Sequence, residues 1–350
     1  MNSTNNISPV LEASGLTIGY RKPHGQRLVL LNNVNLEIQR GEVVCLLGPN
    51  GSGKSTLLRT LSGLQPPLGG AIRIMGKPVR SNQAKATARL LSVVLTEPLA
   101  IRDLTVRQLV TMGRYPYMNW LGTPDQDDLR IIERSIIQAR MQGYEERNLY
   151  ELSDGELQRA MVARALCQDT PLILLDEPTA HLDLPNRVSI MRLLKSLAAE
   201  TGKSILFSSH ELDLAMQTAG TLWLLRPGEP VSVGVPEDLV LNGIFESTFG
   251  ADGVDFDPST GNFRFHPNDG IPVFCDGNSV TGFWTRRALE REGFEASEDP
   301  SLPVRIQVFN GPNRWMLEAA GEQLHCQTLS DLLSKLHSLR SLTPLVFKKN

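Results

Sequence analysis

Gly48-Pro49-Asn50-Gly51-Ser52-Gly53-Lys54-Ser55-Thr56 is the stretch on which the reading of this chain turns. It follows a short apolar run, 41–47, that reads as a strand, and it precedes Leu57, Leu58 and Leu61 at helical spacing. The pattern G-x-x-x-x-G-K-[ST] has a specific physics. Glycines at 48, 51 and 53 let the loop turn tightly and expose its backbone N–H groups. Those donors and the start of the following helix cradle phosphate oxygens. Pro49, Asn50 and Ser52 fill the loop, Lys54 reaches the β- and γ-phosphates, Ser55 ligates Mg²⁺, and Thr56 opens the helix. A solvated glycine turn has the same composition, but the strand–loop–helix setting selects the nucleotide reading.

Downstream, residues 171–175 are fully apolar and end at Asp176-Glu177. A strand of this kind carries its acids to the carboxyl edge of a sheet, where open α/β folds bind ligands. Asp176 is expected to hold Mg²⁺ through water, and Glu177 to polarise the attacking water as general base. Residues 204–207 form another strand, and Ser208-Ser209-His210 follows it. His210 is placed to contact the γ-phosphate and Glu177. Ser153, with Glu156 three residues on, makes a capping box at a helix start. That start is either a capped helix alone or a second anion site. Further strands are expected at 10–20, 28–38, 71–74, 91–95 and 221–225, and helices over 105–142 (with a turn near 122–125), 156–168 and 186–200. Strands alternating with helices make an α/β fold with a parallel sheet and crossover connections.

The chain has 350 residues, 41% hydrophobic and 21% charged, enough for two domains with their own cores. Lys+Arg is 35 against Asp+Glu 38, a net charge of −3, which gives no general pull toward nucleic acid. The four cysteines at 45, 167, 275 and 326 form no CxxC pair and fit a reducing compartment. The polar first residues do not read as a signal peptide, and no run of 18 apolar residues occurs. Residues 251–270 are rich in Asp, Gly, Pro and Ser and read as a linker between a first domain, 1–250, and a small α/β or α+β domain, 271–350. In that second part a strand at 271–275, a helix at 283–292, a hairpin across Asn310-Gly311 and a helix through Leu339 are expected. His266, Cys275, His325 and Cys326 are scattered, as structural residues are.

Together these motifs resemble the nucleotide-binding subunits of ATP-binding cassette (ABC) transporters, over about residues 10–250 and in the family order. Gly48 to Thr56 match the Walker A loop, 172–176 Walker B, Glu177 the catalytic carboxylate, 152–156 the signature motif, 180–183 the D-loop, His210 the switch histidine and Tyr20 the aromatic that stacks on adenine. The resemblance implies a P-loop NTPase cassette with an N-terminal antiparallel β-subdomain and a helical subdomain at about 97–168. It also implies ATP and Mg²⁺ as ligands, and a head-to-tail homodimer in which each ATP lies between one copy's phosphate loop and the other's Ser153 and Gly155. Two departures stand out. Asp154 and Glu156 replace the usual third and fifth signature residues, with Arg159 a cation near enough to offset them. The Q-loop glutamine is absent, and Thr96 or Glu97 takes its place as metal or water ligand.

The stretch 104–122 resembles the helical subdomain of importers for iron-siderophore complexes, haem and cobalamin. Tyr115, Tyr117 and Trp120 there either dock a membrane permease or fill the subdomain's own core. The implied function is ATP hydrolysis at the cytoplasmic face of the membrane, powering uptake delivered by a periplasmic or surface binding protein. The alternative is a soluble cassette ATPase of translation or DNA repair. It is disfavoured by the single cassette and by the lack of sustained heptads between Lys54 and Ser153. The role of residues 271–350 is either regulatory or a passive extension.

Overall fold

Alternation of apolar and polar residues makes β1 (Leu11–Arg21) and β2 (Arg27–Ile38), which pair antiparallel from Leu11↔Ile38 to Arg21↔Arg27. The buried side chains of β1 change phase, from Leu11 and Ala13 to Leu16 and Ile18. A bulge with Gly15 at φ 57° inserts the residue that re-aims the strand. Five buried residues in succession form β3 (Val43–Leu47), and α1 (Lys54–Leu61) follows the phosphate loop. The chain continues through β4 (Gly69–Ile74), β5 (Lys77–Pro78), α2 (Ala84–Thr87), β6 (Leu91–Val94) and α3 (Val106–Thr111). Next come α4 (Gln126–Gln138), α5 (Asp154–Cys167), β7 (Leu172–Leu175), α6 (Leu184–Thr201) and β8 (Ser204–Ser208). The last elements of this part are α7 (Leu212–Thr218), β9 (Thr221–Leu224), β10 (Ser232–Gly234), α8 (Pro236–Leu241) and α9 (Ile244–Phe249).

The computed structural model describes residues 8–342 apart from 22, 24, 25, 82, 97–102, 119–121, 251–253, 258–260, 266–269, 278 and 310–313. It divides into two units, Met1–Phe249 and Gly250–Asn350. In the first, β2-β1-β4-β5 is an antiparallel sheet, and β10-β9-β3-β8-β7-β6 is a sheet whose members are parallel except β10. The parallel strands are apolar on both faces, as the crossover helices require. Phe207 and Trp223 are fully buried. The carboxyl ends of β3, β6, β7 and β8 lie along one edge, and they carry Gly48, Thr96, Asp176 and His210 toward the same side.

The expected long helical stretch over 105–142 is in fact α3, a 3₁₀ turn at Met112–Arg114, and α4. Thr105 caps α3 and Asp125 caps α4, each with a reciprocal box. Arg114, at the end of the turn, is buried, with Nε 2.7 Å from Asp128 Oδ1 and Nη1 donating to Cys167 O at 3.1 Å. That pairing ties the turn to α4 and α5, so helical spacing cannot continue through it.

In the second unit, part of the stretch expected as a linker is a hairpin of β11 (Val254–Asp257) and β12 (Asn262–Phe265), paired from Val254↔Phe265 to Asp257↔Asn262. Its period-2 alternation, V-D-F-D and N-F-R-F, was hidden among turn residues. The unit continues as β13 (Ile271–Cys275), α10 (Val280–Arg291), β14 (Phe294–Ser297), β15 (Val304–Val308), β16 (Trp315–Ala319), β17 (Glu322–Cys326) and α11 (Leu329–Leu342). The sheet order is β14-β13-β15-β16-β17, with β13 parallel to both neighbours and the rest antiparallel. Val273, Phe294, Ile306, Leu317, Leu332 and Leu336 are among its core residues. The Asn310-Gly311 turn lies outside the described residues, but the ladder beside it, Val308↔Trp315, is formed. All four cysteines are buried and unpaired by disulfides. Cys275 and Cys326 belong to the second core, and His266 is outside the described residues. Among the described residues, no helix is long and apolar enough to cross a membrane.

Candidate nucleotide site

The phosphate loop closes on itself. Gly48 stands so close to the next turn that a Cβ there would lie 2.7 Å from Ser52 Oγ, and Gly53 enters α1 at φ 99°, a conformation that side chains resist. Lys54 is buried, and its ammonium donates to Gly48 O at 2.7 Å and Pro49 O at 3.2 Å. Burial pushes its pKa below the ordinary lysine value, while the Glu177 and Asp176 carboxylates oppose that shift. Tyr20 is half exposed at the end of β1, and its hydroxyl shares a 2.7 Å hydrogen bond with Thr56 Oγ1. The structure thus brings Tyr20 to the rim of the loop.

Opposite Lys54, parallel pairing of β7 and β8 sets Leu175 beside Phe207, so the next residues on each strand meet. Ser208 Oγ donates to Asp176 Oδ1 at 2.7 Å and accepts from Glu177 N at 2.9 Å. Ser55 Oγ donates to the same Asp176 oxygen at 3.4 Å. Thr96 Oγ1 donates to Asp176 O at 2.7 Å, while Glu97 lies outside the described residues. Glu177 sits at φ 48°, in the left-handed region that a non-glycine residue enters only under constraint. Its Oε1 is 2.5 Å from His210 Nε2. Ser208 was not singled out from the sequence. Its only signal there is a polar residue closing an apolar strand, and its role depends on the register with β7.

The donor set fits a magnesium–triphosphate. Ser55 and Asp176 offer hard oxygens side by side, as Mg²⁺ requires. Among the described residues the buried Ser52 hydroxyl has no hydrogen-bond partner, which leaves a donor inside the loop for a phosphate oxygen. Among the described residues no cluster of three His, Cys, Asp or Glu could hold a metal alone. A magnesium held by two protein oxygens and the nucleotide's phosphates needs no such cluster.

Ser153 and Gly155 stand apart from this group: among the described residues no hydrogen bond joins them to the phosphate loop. Ser153 caps α5, and its N and Oγ both donate to Glu156 Oε2 at 2.8 Å. The Ser153 backbone N–H, with help from the Ser153 hydroxyl, Tyr144 and Arg159, holds the Glu156 carboxyl below the usual range. The unusual acid at the fifth signature position is therefore turned back onto its own helix start. Tyr115 is 57% exposed. Tyr117 is half-buried, with the Arg114 guanidinium 4.1 Å and the Arg89 guanidinium 5.2 Å from its ring centre. Tyr117 thus packs against Arg114 and Arg89 of its own chain, and Trp120 lies outside the described residues.

The ABC transporter family model matches residues 31–180, and the model of the iron ABC transporter C-terminal domain matches residues 270–337. The chain is 35% identical to a petrobactin import ATP-binding protein of Bacillus anthracis over 69% of its own length and 87% of that protein's. It is 35% identical to the iron(3+)-hydroxamate import ATP-binding protein of Bacillus subtilis over 71% of its length and 91% of that protein's. Among solved structures, a dimeric ATP-binding cassette in a post-hydrolysis state with ADP and Pi aligns with a TM-score of 0.56 at 28% identity, over 64% of this chain and 98% of that one. With a complete phosphate loop and a carboxylate–histidine pair across from it, the chain belongs to the ATP-binding subunits of the ABC transporter family and is an ATPase of that family.

Proposed function

We propose that the chain works as a head-to-tail pair at the cytoplasmic face of a membrane, hydrolysing ATP to drive uptake of a metal-chelate cargo through a separate permease. One observation carries the hydrolytic part: Asp176, Ser208, Glu177 and His210 form a continuous hydrogen-bonded chain opposite Lys54 and Ser55. The loop amides and Lys54 hold the phosphates, and Ser55 and Asp176 hold magnesium, which neutralises charge on the phosphate oxygens. Glu177 takes the proton of the attacking water. His210 keeps that carboxylate aimed. Tyr20 flanks the base, and Ser153 and Gly155 serve the nucleotide of the other copy.

The import direction and the cargo class rest on the iron-import relatives and on the iron-transporter C-terminal domain, which favour this reading over a translation or repair ATPase. Tyr115, Tyr117 and Trp120 are the proposed contact with the permease, Tyr115 being an exposed aromatic of that stretch. Residues 1–250 are proposed as the ATPase domain, with the helical subdomain at about 97–168. Residues 271–350 are proposed as a separate domain whose role is regulatory or simply stabilising.

Glu177→Gln is expected to bind ATP normally while turnover falls by about 10²–10⁴, the range for losing a general base. Lys54→Ala is expected instead to weaken nucleotide binding itself. Equilibrium binding and phosphate release measure the two. Undiminished hydrolysis by Glu177→Gln removes Glu177 from the mechanism. Uptake assays with iron-siderophore, haem and cobalamin complexes test the cargo.

A further inference from the structure

The chain leaves Glu177 through a tight segment. Ala180 N donates to Glu177 O at 3.0 Å, Leu182 N donates to Thr179 O at 3.3 Å, and His181 sits at φ 65°. Asp183 then caps α6, accepting from Asn186 N at 3.2 Å and Asn186 Nδ2 at 2.7 Å. One residue further, Arg187 reaches two ways. Its Nε donates to Leu182 O at 2.6 Å, and its Nη1 pairs with the Glu211 carboxylate. Glu211 follows His210 directly, and its backbone N donates to Ser209 Oγ at 2.9 Å. The links close a ring: Glu177, the segment 178–182, Arg187, Glu211, His210, and back to Glu177 through the 2.5 Å contact.

The base of this ring is fixed. Asn186 lies against Gly155, where a Cβ would stand 2.6 Å from Asn186 Oδ1, so the first turn of α6 is seated on the first turn of α5. An arginine suits the position because its planar fork serves a carbonyl and a carboxylate at once, which an ammonium does less well. Arg187 and Glu211 are about one-third exposed, 34% and 33%, so the pair adds little to folding. Its contribution is to geometry.

We propose that Arg187 is a positioning residue for hydrolysis: by joining Leu182 to Glu211 it holds His210 against the Glu177 carboxylate. The proposal rests on the ATPase reading above. Among the described residues Arg187 makes no hydrogen bond to the phosphate loop, so its loss acts on the chemical step and leaves nucleotide affinity alone.

The test uses the full chain and steady-state ATP hydrolysis. Arg187→Met and Glu211→Gln are each expected to lower kcat about tenfold, with KM for ATP within about twofold of the parent. The double variant is expected to be no slower than the slower single one, because both remove the same link. Arg187→Lys recovers part of the loss. Melting temperatures move by less than about 2 °C, as for a part-exposed ion pair. Should Arg187→Met not fold, Glu211→Gln and Arg187→Lys still decide the matter. Parental kcat in these variants, losses that multiply in the double, or a KM rise matching the kcat loss overturns the proposal. Failure of the ATPase reading looks different: the parent chain itself then hydrolyses no ATP.

Discussion

Ser208 Oγ is wholly buried and bonded on both sides, donating to Asp176 and accepting from the Glu177 backbone. Ser208→Ala leaves the Glu177 N–H without a partner and frees the Asp176 carboxylate to turn. Stranding a buried polar group costs about 1–3 kcal/mol. The expected outcome is a loss of roughly tenfold or more in kcat. Ser208→Thr, which keeps the hydroxyl, is expected to retain more activity. Equal activity in the alanine and threonine variants, measured by phosphate release, removes Ser208 from the site. At this scale the residues proposed to hold nucleotide were legible, because the loop glycines and lysine form one short run of the chain and the strand-end acids another. Ser208 was not, because its importance lies in a neighbour 32 positions away.

The turns between elements carry charges that the helical and strand periods do not explain. Asp169 joins α5 to β7 at φ 52°, 2.9 Å from Lys203 Nζ and 3.6 Å from Arg134 Nη2. Burial alone raises its carboxyl, but Lys203, Arg134 and Arg114 outweigh that and hold it below the usual carboxylate range. A depressed carboxylate stabilises the fold fully above its unfolded value, about 3.9, and loses that contribution as pH falls through the folded value. Asp169→Asn keeps a side chain that tolerates the left-handed backbone and removes only the charge. At pH 7 the variant is expected to be about 0.5–1 kcal/mol less stable, at the low end because the carboxylate is 41% exposed. The gap is expected to narrow as pH falls from neutral to below the ordinary carboxylate value of about 3.9. Thermal melts across that range measure it, and a gap that persists unchanged in acid contradicts the assignment.

For the whole molecule, each unit holds its own hydrophobic core, one around Leu46, Leu57 and Leu174 and the other around Val273, Ile306 and Leu336. A unit with its own core can fold alone. Residues 1–249 by themselves are therefore expected to fold and to hydrolyse ATP. Calorimetry of the full chain is expected to show two transitions, one matching that fragment. A fragment that stays unfolded, or a single transition for the full chain, contradicts the independence of the two cores.

By itself the sequence determined the phosphate loop, the acids at the end of β7, the capped start of α5 and the alternation of strands with helices. Each of these is written in residues a few positions apart, where local sterics and hydrophobic period act directly. Only the tertiary structure decided that Ser208 bridges Asp176 and Glu177, that Arg187 reaches Glu211 and that Arg114 breaks the long helical stretch. Most of these contacts join separate strands and helices. Their partners are set by sheet register and helix packing, which depend on the burial of the whole core rather than on any short run of residues.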